Sequence, residues 1–171
     1  LIGDSAGKLL TNNTDNIAIG HGALDAMNGG ADPGATGIGN IAIGTNALGA
    51  ENSTAEADYC IAIGHSALAL QTGGTNAKNT AIGGLAGQTI DDGNRNTLVG
   101  YLSGGDIADG GDNVCVGDMT MVNGTGSQNV VIGSGAGSSN QNGTSTQFTG
   151  GVNVLIGYSA GNDLTNGPGN V

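Results

Sequence analysis

Few side chains in this sequence have the spacing of metal ligands. His21 and His65 occupy the same position in two units of a sequence repeat, about 10 Å apart if the units stack as neighbouring strands do. At that distance the two imidazoles need a further ligand between them to share a metal ion. The stretch 106–112 combines Asp106, Asp109 and Asp112 with glycines, and carboxylate and carbonyl oxygens suit calcium. It lacks the regular nonapeptide spacing of glycine and aspartate calcium loops. We therefore expect no cofactor, with calcium at 106–112 as the alternative.

Nucleophilic side chains also lack the partners that catalysis requires. His65 is followed by Ser66, but adjacent strand residues point to opposite faces. The glycine-rich stretch 133–137 is not followed by the Lys of a phosphate-binding loop. Cys60 and Cys115 lie three repeat units apart, roughly 14 Å on stacked strands, which is too far for a disulfide bond. We interpret Cys115 as a small buried hydrophobe and Cys60 as a tolerated replacement for Asn, and the sequence predicts no enzyme activity.

The composition does not supply an ordinary globular core. The 171 residues include 36 glycines, one Phe and no Trp, whereas close-packed cores normally depend on large side chains. Ala, Ile, Leu and Val recur at fixed places instead, which favours packing in columns along one axis.

A formal charge of -11 argues against nucleic acid as a partner and against attraction to anionic membranes. No apolar run approaches about 18 residues, so no membrane insertion is predicted, and the acidic charge favours an extracellular location.

A five-residue motif is repeated along the whole chain and predicts its architecture. It reads Asn, a β-branched residue, an apolar residue, Ile or Val, and Gly, as in 16–20. Successive motif glycines are separated by 17, 24, 20, 19, 17, 17, 16 and 24 residues, and such periods are typical of solenoids. The glycine permits a tight corner or a positive φ. The predicted glycine column consists of Gly3, Gly20, Gly44, Gly64, Gly83, Gly100, Gly117, Gly133 and Gly157.

The first motif position predicts a ladder of asparagines. Stacked at a corner of the fold, each carboxamide would hydrogen-bond the residues above and below it and satisfy backbone groups of the turns. Cys60 alone interrupts this column. The predicted asparagine column consists of Asn16, Asn40, Asn79, Asn96, Asn113, Asn129, Asn153 and Asn170.

A second column of small residues lies three positions after each glycine, as at Ala23, Ala47 and Ala86. We interpret it as a second short strand, so that each unit contains a strand, a corner, a strand and a turn. Longer units carry insertions at one return turn, such as 28–34 and 138–151. The prediction is an all-β, parallel β-solenoid of about nine coils with 16 to 24 residues each, in a single domain spanning 1–171. Both ends fall inside the motif, so we expect an excerpt of a longer fibre.

Both faces of the motif strand are apolar. Ile17 and Ile19 share one face, whereas Ala18 shares the other with the asparagine column. A strand with one face in water normally alternates with polar residues, so both faces need cover. Self-association is the simplest way to cover the second apolar face. We expect a homotrimer around a common axis, with the Ala column where the chains approach; a dimer or a head-to-tail filament are the alternatives.

The repeats resemble those of a known family of fibrous proteins. Segments 16–23, 40–47 and 79–86, in which the motif is followed by a small residue, resemble head repeats of trimeric autotransporter adhesins. They are similar also to the Asn-Thr-Ala-Ile-Gly-Tyr repeats of phage tail fibres and of large bacterial surface proteins. The resemblance covers essentially the whole chain and implies a left-handed parallel β-roll, usually trimeric. The steps of this chain are less regular, and its polar loops longer, than those of the adhesin heads.

Two functional hypotheses follow. The first is a structural and adhesive segment of an extracellular fibre, whose loops meet a host surface, a matrix or neighbouring filaments. The alternative is a phage tail-fibre shaft that positions a receptor-binding tip, which would place the chain in a virion. A solenoid enzyme acting on polysaccharides would require paired acids and bases on one coil face, but the Asp residues are scattered over loops of unequal length.

Overall fold

A computed structural model describes residues 1–8, 10, 14–25, 37–49, 57–71, 77–138, 149–162, 164, 167 and 169–170. Within these ranges the regular secondary structure consists of short strands joined by turns, without a helix. The predicted insertion at 28–34, and most of the one at 138–151, lie outside the described residues.

Eight strands of three residues each form a single parallel sheet in which every strand lies beside the next one in the chain. The strands are β1 (Ile17–Ile19), β2 (Ile41–Ile43), β3 (Ile61–Ile63), β4 (Thr80–Ile82), β5 (Thr97–Val99), β6 (Val114–Val116), β7 (Val130–Ile132) and β8 (Val154–Ile156). Each strand is the central part of one sequence motif. Because the chain returns to the same sheet after every repeat, the prediction of an all-β parallel β-solenoid is confirmed.

The register of the sheet places equivalent motif positions side by side. Ala18 pairs with Ala42, and Ala42 pairs with Ala62. Backbone hydrogen bonds extend the ladder past the strand ends, since the Ile17 N–H donates to the Asn40 carbonyl at 2.8 Å. The long step between β1 and β2 and the short step between β6 and β7 give the same register. Loop length therefore does not disturb the pairing.

The central residue of each strand faces the interior of the solenoid, and its two neighbours face outward. Ala18 and Leu98 are fully buried, whereas Ile17 is 48% exposed and Ile156 is 66% exposed. The prediction that the Ala column lies between chains is therefore wrong. The alanines pack inside the coil, against buried residues such as Leu24, and Leu98 occupies the same interior position in β5.

The prediction of a second strand at the small-residue column is also wrong, because this part of each coil is a run of turns. The Ala86 N–H bonds the Gly83 carbonyl at 3.3 Å, and the Gln88 N–H bonds the Leu85 carbonyl at 3.3 Å, so one turn overlaps the next. Leu85 has a φ of 60°, which is left-handed backbone and incompatible with an extended strand. Neighbouring coils still bond here, since the Gly87 N–H donates to the Ser103 carbonyl at 3.0 Å.

Candidate functional site

The asparagine column forms a ladder immediately before the strands, with an interruption at Cys60. The Oδ1 atom of Asn96 accepts the backbone N–H of Asn113 at 2.9 Å, and Oδ1 of Asn113 accepts the N–H of Asn129 at 3.0 Å. The Nδ2 group of Asn113 donates to the Gly126 carbonyl at 2.9 Å, near the end of the same coil. One carboxamide therefore closes its own coil and ties that coil to the next.

Burial makes these hydrogen bonds important for stability. Asn40, Asn79, Asn113 and Asn129 are completely buried, and Asn96 is 1% exposed. A buried amide without partners costs about 1–3 kcal/mol. The ladder satisfies its carboxamides from one asparagine to the next, and the Nδ2 group of Asn129 also donates to Oδ1 of Asn113 at 3.1 Å. Asn16, at one end, is half-buried and bonds the Gly37 carbonyl and the Asn40 N–H.

At Cys60 two groups replace the missing carboxamide. The Cys60 sulfur lies where an asparagine oxygen stands in other coils, and the backbone N–H of Asn79 points toward it. The Nδ2 group of Asn79 donates instead to Oε1 of Gln71 at 2.7 Å. Gln71 is only 2% exposed, and its own Nε2 donates to the Asp91 carbonyl at 2.7 Å. Gln71 was not singled out from the sequence, because it lies outside the repeated column and no motif position marks it.

The two cysteines are buried, free thiols. Burial raises the pKa of Cys60 to about 11, although the N–H groups of Asn79 and Lys78 oppose the increase and the charge of Asp58 adds to it. Burial raises the pKa of Cys115 to about 12. Since the thiolate is the reactive form, both side chains are poor nucleophiles and serve as small packing groups.

The glycine column lies where the backbones of adjacent coils approach closely. All nine motif glycines have φ between 127° and 140°. A Cβ atom on Gly44 would lie 2.5 Å from the carbonyl oxygen of Gly64, and one on Gly20 would lie 2.6 Å from that of Gly44. No other residue fits such a contact with rigid backbone. Gly157 has the same backbone conformation, but among the described residues an added Cβ there would meet only the Ala160 Cβ, at 4.0 Å.

The outward strand residues form two parallel columns of β-branched and apolar side chains along the sheet. One column precedes the buried central position and the other follows it. Exposure is 37% at Ile19, 39% at Ile82 and 36% at Val114. The outward columns, as we call them, consist of Ile17, Ile41, Ile61, Thr80, Thr97, Val114, Val130 and Val154, and of Ile19, Ile43, Ile63, Ile82, Val99, Val116, Ile132 and Ile156.

The candidate metal ligands are not brought together. His21 pairs with Asp4, at 3.5 Å between Nε2 and Oδ2, and both side chains are largely exposed. Asp112 is engaged by Arg95 at 2.6 and 2.8 Å, and Oδ1 of Asp106 lies 3.2 Å from the Thr89 hydroxyl. Within the described ranges no three His, Cys, Asp or Glu side chains are grouped to hold a metal ion. The part of the chain that the structure describes likewise has no helix long and apolar enough to cross a membrane.

Comparison of the chain with protein-family models, curated proteins and solved structures gives no match. The residues that the structure organises most regularly are the asparagine ladder, the glycine column and the outward columns. None of these arrangements carries a nucleophile paired with a base.

Proposed function

We propose that the chain is a structural and adhesive segment of an extracellular or cell-surface fibre, without catalytic activity. The observation that carries this proposal is the continuous register of eight strands, which is backed by a buried asparagine ladder and faced by apolar outward columns. Such an arrangement extends in one direction, resists local unfolding through contacts between neighbouring coils, and offers a long repetitive surface. These are the mechanical properties of a shaft.

The solenoid is proposed to have nine coils in a left-handed β-roll. Each strand opens one coil, and the isolated bridge between Ile2 and Ile19 marks the coil that precedes β1. Nine coils at the usual strand spacing extend the fibre by roughly 43 Å. The nine glycines of the column, with the same φ range in every unit, support this count.

Self-association is proposed through the outward columns, with three chains around a common axis. An uninterrupted strip of Ile, Val and Thr on a regular sheet is an unusual surface to leave in water. Three strips facing one axis would cover all of it, and β-branched side chains pack well between flat sheets. The acidic surface, with a net charge of -11, argues against nucleic acid as the partner.

Sedimentation equilibrium tests the proposal. The protein is expected to sediment at three times the 16.4 kDa mass of the chain. Replacing Ile82 and Val114 together by Lys should shift it toward the monomer, because each substitution would place a charge in the apolar interface. The matched control is Gln128→Lys, which adds a positive charge at an exposed position outside the outward columns.

The outcomes separate the parts of the proposal. A monomer at every concentration would refute self-association and leave the outward columns uncovered. A dimer would retain the covered face but contradict the threefold arrangement. The control could also shift the sedimenting mass toward the monomer as far as the double variant Ile82→Lys and Val114→Lys does. Such a result for Gln128→Lys would show that added charge in general, and not charge in the outward columns, prevents assembly.

A further inference from the structure

A groove of about 360 Å³ crosses the turn side of the solenoid beside β5 to β8. Its apolar lining comes from Leu102, Met119 and Val122, which lie on the turns after β5 and β6. Ligand pockets in proteins typically have volumes of about 300–1000 Å³. The groove therefore has room for a small ligand or for a short segment of a larger one.

Polar groups at the edge of the groove are left available by the fold. Asp118 and Ser134 are exposed, and the ring of Tyr158 is 82% exposed. In the part of the chain that the structure describes, no hydrogen bond or ion pair engages the side chains of these three residues. The groove thus combines an open aromatic face, a carboxylate and a hydroxyl with an apolar floor.

We propose that this groove binds a neutral saccharide of one or two rings. The apolar C–H faces of a pyranose would pack on Tyr158, Met119 and Leu102, since aromatic rings provide large contact area with a polar tip. The sugar hydroxyls would donate to the Asp118 carboxylate, and hydrogen bonds to a charged acceptor are the stronger kind. A purely apolar ligand would leave the carboxylate and the serine hydroxyl without partners, at a cost in binding free energy.

Charge defines which saccharides fit. Among the described residues, the groove lining contains Asp118 but no Lys, Arg or His. Sialylated or sulfated sugars would therefore meet a negative charge without a compensating cation. The net charge of -11 adds to this repulsion. The inference deepens the proposed adhesive role by naming its ligand class, and it rests on that role.

Tyr101 supplies a matched control within the same repeat. It occupies the same position after its motif glycine as Tyr158 and is 49% exposed, but it does not line the groove. Its ring lies over Gly84 of the neighbouring coil, where an added Cβ would come within 3.5 Å of it. Loss of either tyrosine removes one exposed ring, but only Tyr158 faces the groove.

Saturation-transfer NMR on the assembled protein tests the inference, with cellobiose, chitobiose and lactose as neutral probes and sialyllactose and choline as charged ones. At least one neutral disaccharide should bind at millimolar concentration. Tyr158→Ala should raise its Kd about five- to tenfold, which corresponds to one lost aromatic contact, and Asp118→Ala should weaken binding in the same direction. Tyr101→Ala should leave the Kd unchanged.

Several results would overturn the inference: no transfer to any of the neutral disaccharides, stronger binding of sialyllactose or choline than of those sugars, or equal losses for Tyr101→Ala and Tyr158→Ala. Sedimentation of the same samples separates this inference from the proposed function. A protein that assembles but binds no sugar retains the shaft role and loses only the ligand. A monomer that binds sugar through Tyr158 retains the groove and loses the fibre.

Discussion

At the scale of single residues, the stability of the fold depends on buried amide side chains that other residue types cannot replace without a loss of stability. The asparagine ladder places its amides in the interior and satisfies them from coil to coil. Where the ladder is interrupted, Gln71 supplies an acceptor for the Asn79 side chain. The pairing of Cys60 with Gln71 is therefore a compensated substitution, and its energetic coupling is measurable.

A double-mutant cycle tests this coupling. Gln71→Ala removes one of the two acceptors of the Asn79 side chain, which keeps the Gly93 carbonyl. It should lower the free energy of unfolding by about 1–3 kcal/mol, since one buried N–H loses its partner. In the Cys60→Asn background the same substitution should cost about half as much, because the new carboxamide can accept from Asn79. Urea unfolding of the four proteins gives the values.

Gln88→Ala is the control for this cycle, because Gln88 is half-buried but outside the asparagine column. Its cost should be small and equal in both backgrounds. If Gln71→Ala costs the same with Cys60 as with an asparagine there, the compensation does not exist.

The glycine column predicts a second contrast. Gly44 and Gly157 have φ values of 132° and 131°, so Gly44→Ala and Gly157→Ala introduce the same backbone strain, about 1–3 kcal/mol. Only the Cβ at Gly44 would strike the neighbouring backbone, 2.5 Å from the Gly64 carbonyl oxygen. Gly44→Ala should therefore lose about 4 kcal/mol or more, as measured by chemical unfolding. Equal losses at the two positions would show that strain, not contact between coils, selects glycine.

The Arg95 and Asp112 pair predicts a small dependence on pH. The hydrogen bond from Arg95 lowers the pKa of Asp112 below its ordinary value of 3.8, with the arginine charge as a further contribution. A carboxyl group with a lowered folded-state pKa stabilises the fold above the unfolded value and loses this contribution as the pH falls through the folded value. Arg95→Gln should therefore lower the urea midpoint slightly at pH 7 and by less near pH 3.

The same Arg95→Gln effect should diminish in high salt, because both side chains are exposed and screened. Lys78→Gln removes a charge from the preceding coil without breaking a described ion pair, and it serves as the control. A difference between Arg95→Gln and wild type that is as large at pH 3 as at pH 7 would exclude the ion pair as its cause.

At the scale of elements, the strands were predictable from the sequence and the turns were not. The motif positions alternate in a way that marks strands, so Ile17 and Ile19 could be assigned to one face and Ala18 to the other. The choice of interior face was wrong, because both faces are apolar and only the closed coil decides between them. The overlapping turns were missed since Leu24 and Leu48 adopt positive φ without being glycine.

In the candidate site, too, some residues were predictable from the sequence and others were not. Asparagine and glycine repeat at fixed positions, and their contacts follow from one coil stacking on the next. Gln71, Tyr158 and Asp118 occupy positions that vary from unit to unit, so no pattern marked them. Their contribution depends on which coils lie side by side, which is a property of the folded solenoid.

The residue before each asparagine position shows how strain accumulates in the turn element. Val152 has a φ of 60° and is 60% exposed, a conformation that is unfavourable for a β-branched residue. Val152→Asn should raise the free energy of unfolding by about 1 kcal/mol, because asparagine tolerates this conformation. Gln128→Asn, at an equivalent position with a φ of 63°, is the control and should gain less. A loss of stability in Val152→Asn, measured by thermal unfolding, would mean that Val152 makes contacts that outweigh its strain.

At the scale of the whole molecule, each coil is stabilised by its neighbours, and the sheet leaves one face of regular apolar columns outside. The asparagine ladder and the glycine column stabilise the stack along its axis, whereas nothing within a single chain covers the outward columns over the described residues. The proposed fibre requires both the stacking of coils along the axis and the packing of chains against the outward columns. In this fibre we expect three chains to bring their outward columns to a common axis.

Cryo-electron microscopy of the assembled protein tests this claim most directly. We expect a particle with threefold symmetry, in which the sheets β1 to β8 of three chains face the axis and Ile43, Ile82 and Val116 lie in the interface. A particle whose outward columns face solvent, in a monomer or in chains joined only end to end, would contradict it.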